Sequence, residues 1–185
     1  MIRSPVLLNK ENSALLVIDV QEKLVPAIYE NESMADVCTT LVKGFRLLDL
    51  PVYYTEQYPQ GIGPTVQPIK DALEGIEARE KVTFSCAGIE GFVQELRKEK
   101  IRNLVLCGIE SHVCVWQSSV DFIHAGFSTV VAEDGVSSRT QRNKQCALKR
   151  MSENGVQVAC AEMILFELMQ TSEHEKFKEI LALIK

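Results

Sequence analysis

Three residues of this chain carry side chains whose types suit covalent chemistry: Cys114, Asp19 and Lys81. Cys114 ends the run Gly108-Ile109-Glu110-Ser111-His112-Val113-Cys114, which follows the apolar segment Leu104-Val105-Leu106-Cys107 and precedes a helical pattern. A cysteine on the first turn of a helix meets unpaired backbone N–H groups and the positive end of the macrodipole. That setting favours the thiolate, the nucleophilic form. A thiolate nucleophile needs a base, a stabilising cation and donors for the oxyanion that forms. Asp19, in Val17-Ile18-Asp19-Val20-Gln21, sits at the rim of an apolar strand, where partial burial tunes a carboxylate for base work. On position alone it reads equally well as a cap of the following turn. Lys81, in Glu80-Lys81-Val82-Thr83-Phe84-Ser85, is the natural cation, although a lone lysine near a strand is ordinarily a surface residue. The oxyanion donors are expected among backbone N–H groups of the turn before Cys114. Gly108-Ile109-Glu110 is the place where strained backbone is expected.

These residues must be positioned by alternating strands and helices. Strand patterns cover 14–19, 52–55, 81–85, 103–107, 128–132 and 156–159; helical spacing covers 33–48, 89–100, 111–125, 139–154, 162–170 and 173–184. Ser138 is placed as the N-cap of the 139–154 helix, with Cys146, Ala147 and Met151 facing inward. The Gly- and Pro-rich stretch 57–68 reads as a loop. Such alternation predicts an α/β fold with a mainly parallel sheet and helices on both faces, a three-layer α-β-α arrangement. In such sheets ligands bind beyond the carboxyl ends of the strands, where strand order reverses. With the order 3-2-1-4-5-6, Asp19 after the first strand and Cys114 after the fourth face one crevice.

The 185 residues predict a single domain spanning 1–185. Hydrophobic residues make up 46% and charged residues 24%, as in globular proteins that fold in water. The net charge of −5, without a basic stripe, argues against nucleic acid as a partner. The cluster Arg139, Arg142, Lys144, Lys149 and Arg150 reads as a solvated helix face. Six cysteines without CxxC or Cys/His zinc spacing point to a reducing, cytoplasmic compartment, with an organelle left open. The first ten residues have too short an apolar core for a secretory signal. No apolar run approaches the ~20 residues that span a bilayer. The apolar stretch 162–184 predicts self-association, because large exposed apolar patches are rare on monomers.

The ordered elements Leu16-Val17-Ile18-Asp19-Val20-Gln21, Tyr54-Thr55-Glu56-Gln57-Tyr58-Pro59-Gln60-Gly61-Ile62-Gly63-Pro64-Thr65, Lys81-Val82-Thr83-Phe84-Ser85, Gly108 through Val115, and Ala159-Cys160-Ala161-Glu162-Met163 resemble the isochorismatase-like cysteine hydrolase superfamily. The likeness is to its isochorismatase-domain-containing branch and runs from Ala14 to about Leu168. The resemblance implies the strand order 3-2-1-4-5-6, an Asp–Lys–Cys triad at Asp19, Lys81 and Cys114, and a cis peptide between Ile109 and Glu110. It also implies an oxyanion hole at the N–H groups of Glu110 and Cys114, and a homo-oligomer. The chain departs from the nicotinamidases of that superfamily, whose metal-binding histidines follow the second strand; that loop holds no histidine here, so neither a metal nor another cofactor is expected. It departs from true isochorismatases in having a cysteine at the nucleophile position, which points to acyl chemistry.

The expected partner is a small amide- or carbamoyl-type substrate, hydrolysed through a thioester. Gln21, Tyr58 and Phe84 are candidate pocket residues. Glu56 is either a substrate-facing carboxylate or a surface residue. His112 is set aside as a base because Asp19 fills that role; Trp116, Cys86 and Cys107 read as packing residues. The alternative class is a catalytically silent binding or scaffold protein on the same fold.

Overall fold

The computed structural model describes residues 2–185. Its strands are β1 (Ser13–Ile18), β2 (Val52–Gln57), β3 (Arg79–Lys81), β4 (Asn103–Ile109), β5 (Ser128–Ser137) and β6 (Gln157–Ala159). Its α-helices are α1 (Asn31–Leu47), α2 (Pro59–Ile62), α3 (Gln67–Ala72), α4 (Phe92–Lys98), α5 (Trp116–His124), α6 (Gln141–Glu153), α7 (Ala161–Met169) and α8 (Phe177–Leu183). The strands form one sheet in the order β3-β2-β1-β4-β5-β6, every pair parallel, as expected from the alternation.

Strand side chains alternate between two cores. Leu15, Val17, Val105, Cys107 and Val130 pack with α1, α3, α7 and α8 on one face. Ala14, Leu16, Ile18, Leu104, Leu106 and Val131 pack with α4, α5 and α6 on the other. Tyr53, Phe92, Phe122 and Phe127 form an edge-to-face aromatic file in the second core. Complete burial of β1 between these layers explains why its sequence is apolar at successive positions rather than alternating.

Several boundaries differ from the sequence reading for identifiable reasons. The strand expected at 81–85 ends at Lys81: its register with β2 runs Thr55↔Arg79, Glu56↔Glu80, Gln57↔Lys81. Beyond it the Lys81 ammonium gathers the carbonyls of Thr83 and Phe84, which curls the segment out of the sheet. The stretch 57–68 is not all loop, because Pro59 and Pro68, each in a first turn, start α2 and α3. The helix expected from Ile89 begins only at Phe92, since Gly91 at φ +75° precedes it. Thr140, not Ser138, caps α6: its Oγ1 accepts the Asn143 N–H at 3.2 Å, and Cys146 is exposed rather than inward. The helix expected over 111–125 is split into a wide π-type turn, Ser111–Val115, and α5.

One glycine is dictated by the sheet. Gly108 has φ +109°, and a Cβ there would lie 2.1 Å from the carbonyl oxygen of Ile18 on β1. The β4–β5 register shifts between Leu106 and Gly108, so this residue bends β4 towards the 111–115 turn. Gly108→Ala should destabilise the fold by at least ~2 kcal/mol, because both backbone conformation and close approach are lost. Urea unfolding of the two chains measures this.

Candidate active site

The carboxyl ends of four neighbouring strands supply the site. Asp19 follows β1 directly and adopts φ +53°, a left-handed conformation that Asp tolerates better than most residues. This turn keeps the carboxylate inside, where it is fully buried. Lys81 ends β3, two strands away. Adjacent strands lie about 4.8 Å apart, so β1 and β3 are separated by roughly 10 Å, a gap that a long side chain can cross. Its Nζ reaches Asp19 Oδ2 at 2.6 Å, with side-chain exposures of 1% and 0% for Lys81 and Asp19. The ammonium also donates to Gln57 Oε1 at 2.7 Å and to the Thr83 and Phe84 carbonyls, each at 3.2 Å. Burial opposes the charge on Lys81 more than any other single influence, but the Asp19 carboxylate and the nearby Cys86 and Cys114 outweigh it, and its pKa is raised.

Between these strands stands Thr55, near the end of β2. Its Oγ1 donates to Asp19 Oδ1 at 2.7 Å, so each carboxylate oxygen has its own buried donor. The sequence reading did not single it out. The available signal was its place: it belongs to the strand between those that carry Asp19 and Lys81.

Cys114 lies in the 111–115 turn and is 7% exposed. Its thiol is not poised as a thiolate. Burial first, and then the negative charge of Asp19, raise its pKa well above the ordinary thiol range, and Lys81 offsets this only in part. The expectation of thiolate stabilisation at a helix start is therefore corrected: α5 begins two residues later, and Cys114 sits in an apolar surround beside a carboxylate. Cys86 is fully buried nearby, its pKa pushed up to about 12 by burial and by Asp19.

The Ile109–Glu110 peptide is cis. The Glu110 carboxylate meets Arg139 Nε at 2.9 Å. His112 turns its Nδ1 to Ser138 Oγ at 2.9 Å and its Nε2 to Asn143, and so belongs to a network on the α6 side of the turn. Trp116 is half-buried beneath the Arg150 guanidinium, 4.4 Å from its ring centre.

The pocket candidates divide. Gln21 is not free for a ligand: Nε2 donates to the carbonyls of Gln57 and Gly63, at 3.0 and 2.6 Å, and Oε1 accepts the Gln57 N–H at 2.7 Å. Glu56 is neither substrate-facing nor on the surface; it is buried and accepts from the N–H and hydroxyl of Thr65, at 2.7 and 2.8 Å. Both residues pin the 57–65 segment over the strand ends. Tyr58 lines a cleft of about 380 Å³ with Gln60, Glu80, Lys81, Thr83 and Ile89. That volume suits a small molecule. Phe84 is 54% exposed and does not line this cleft. Among the described residues, no three His, Cys, Asp or Glu side chains converge as metal ligands.

A doubly wound parallel sheet with polar side chains gathered at its carboxyl edge defines an α/β protein of the hydrolase-like type. The isochorismatase domain model matches residues 13–163. Isochorismatase domain-containing protein 2A of Mus musculus is 36% identical over 180 residues, covering 95% of this chain and 84% of that protein. Among solved structures, the MAR1 ribonuclease of Caenorhabditis elegans is similar with a TM-score of 0.90 and 36% identity, over 96% of this chain and 91% of that one. YcaC of Escherichia coli, described as an octameric hydrolase of unknown specificity, shares the fold with a TM-score of 0.88 and 22% identity, over 98% of this chain and 90% of that one. The chain belongs to the isochorismatase family and has its hydrolase fold.

Removing one partner of a buried ion pair leaves the other charge uncompensated. Lys81→Met should therefore destabilise the protein by about 3–5 kcal/mol in urea unfolding. Lys178→Met, at an exposed position, should stay within about 0.5 kcal/mol of the parent.

Proposed function

We propose that this protein is a metal-independent cysteine hydrolase of a small amide- or carbamoyl-type substrate. The observation that carries the reading is the buried Lys81–Asp19 pair placed beside the thiol of Cys114. A protonated thiol next to an ionised carboxylate calls for general-base chemistry rather than a resting thiolate. Asp19 takes the proton as the Cys114 sulfur attacks the carbonyl carbon, and the backbone N–H groups of Glu110 and Cys114 hold the oxyanion. Asp19 then gives its proton to the departing ammonia or amine. The same carboxylate activates the water that hydrolyses the thioester. Lys81 touches Asp19 throughout and limits the build-up of negative charge. The cleft at Tyr58 and Lys81 admits the substrate, and Lys81, which lines it, leads to Asp19 behind.

A screen of small amides and carbamoyl compounds for ammonia release tests this directly. The parent chain should turn over at least one compound, and Cys114→Ala should abolish that turnover with its far-UV spectrum unchanged. Near-parent activity in Cys114→Ala would overturn the mechanism. Tight binding of such a compound with no turnover would favour the binding or scaffold reading instead.

The name ribonuclease attached to three of the similar structures does not transfer easily to this surface. Of the basic residues around α6, Arg139 pairs with Glu110, Lys144 with Glu30 and Lys149 with Glu153, while Arg150 lies over Trp116 and Arg142 is exposed. With three of these five cations paired to carboxylates, little continuous positive charge is left for a phosphate track.

Exposed apolar side chains at Val82 and Phe84 beside the cleft, and at Met163 and Phe166 on α7, support self-association. Light scattering should give a mass at least twice that of one chain; a monomer would end this part of the proposal. Among the described residues, no helix is long and apolar enough to cross a membrane.

A further inference from the structure

A hydroxyl has one hydrogen to give. The Thr55 hydroxyl gives it to Asp19 Oδ1 at 2.7 Å, since an ionised carboxylate can only accept. The same oxygen lies 3.8 Å from Cys86 Sγ, and there either atom has the capacity to donate. With the Thr55 hydrogen committed to Asp19, the direction of the second contact follows: Cys86 S–H donates to Thr55 Oγ1. Cys86 has the proton to do so, because burial and Asp19 push its pKa up to about 12.

Cys86 is itself fixed. Its N–H donates to Ser118 Oγ at 2.8 Å, and Ser118 lies one turn beyond Cys114 on the helix that follows the nucleophile. All these side chains are buried. The result is a one-way file of donors, from Cys86 through Thr55 to one oxygen of Asp19, anchored on the helix that carries the nucleophile's turn. Lys81 occupies the other oxygen.

We infer that Thr55 is a positioning residue for the Asp19 base, and that Cys86 supports it by donating to the hydroxyl oxygen that Thr55 leaves free to accept. The inference rests on the reading of Asp19 as the base for Cys114. Without the file, the Asp19 carboxylate keeps its lysine partner but loses the contact that fixes its rotation about the Cβ–Cγ bond. Its oxygen would then meet the Cys114 thiol at an uncontrolled angle. A positioned general base contributes roughly 10²–10⁴-fold to rate, and orientation is a large part of that.

The test is the rate of iodoacetamide alkylation of Cys114 across acid to mildly alkaline pH, located by peptide mass spectrometry on the full chain. The variants are Thr55→Val, Thr55→Ser, Cys86→Ala and Asp19→Asn. Val matches the shape of Thr without the hydroxyl; Ser keeps the hydroxyl. In the parent, a neutral-pH plateau assisted by Asp19 is expected. Asp19→Asn should remove the plateau. Thr55→Val should lower it roughly tenfold or more. Thr55→Ser should restore it, and Cys86→Ala should lower it by less.

If Asp19→Asn matches the parent, the base reading itself fails. If Asp19→Asn loses the plateau while Thr55→Val keeps the parent profile, the inference about Thr55 is overturned and the base reading stands. Equal loss in Thr55→Val and Thr55→Ser would assign the effect to packing and overturn the inference as well. Should Thr55→Val not fold, Cys86→Ala decides, because a profile identical to the parent there rules out the directed file.

Discussion

The Lys81–Asp19 pair is the contact around which the carboxyl edge of the sheet is built. Two charges taken out of water lose several kcal/mol of hydration each, and their attraction offsets this only with good geometry and further hydrogen bonds. Here both conditions hold. The ammonium meets four oxygens within 3.2 Å, and the second carboxylate oxygen has the Thr55 hydroxyl. These demands explain local features that look unrelated. They include the left-handed turn at Asp19, the short β3 that stops at the lysine, and the curl of 82–85 that turns carbonyls inward.

The same burial sets the character of the Cys114 thiol. Cys114 lies in the apolar core beneath α4 and α5, next to a carboxylate, and both influences favour the neutral thiol. In the proposed mechanism the adjacent carboxylate activates this thiol, so the placement of Asp19 matters more than the field of any helix terminus. The bend at Gly108 and the wide turn at 111–115 carry Cys114 into this position, and α5 starts only after it.

Around this centre the remaining polar side chains are scaffolding. Gln21 and Glu56, both buried, use their hydrogen-bonding groups on the 57–65 segment and so shape the cleft wall without facing it. His112, Ser138 and Asn143 tie the 111–115 turn to α6, and Glu110 with Arg139 closes that side. A histidine two residues from a cysteine invites a Cys–His reading from sequence, but successive residues of a helical turn point in different directions.

The sequence by itself determined the α/β class, the strand order through its family likeness, and the family. Apolar runs at strand spacing and amphipathic helical patterns are local properties, readable in order along the chain. Asp19, Lys81 and Cys114 were candidates by type, but position alone left Asp19 a turn cap as readily as a base and Lys81 a surface residue, and their grouping came through the family likeness. What only the tertiary structure decided is how those groups act on one another. The Thr55–Asp19 bond, the contact of Cys86 with Thr55, the raised pKa of Cys114 and the inward duties of Gln21 and Glu56 all depend on contacts between segments distant in sequence. Desolvation and hydrogen-bond direction are set by what surrounds a group in space, and no spacing along a chain encodes that surround.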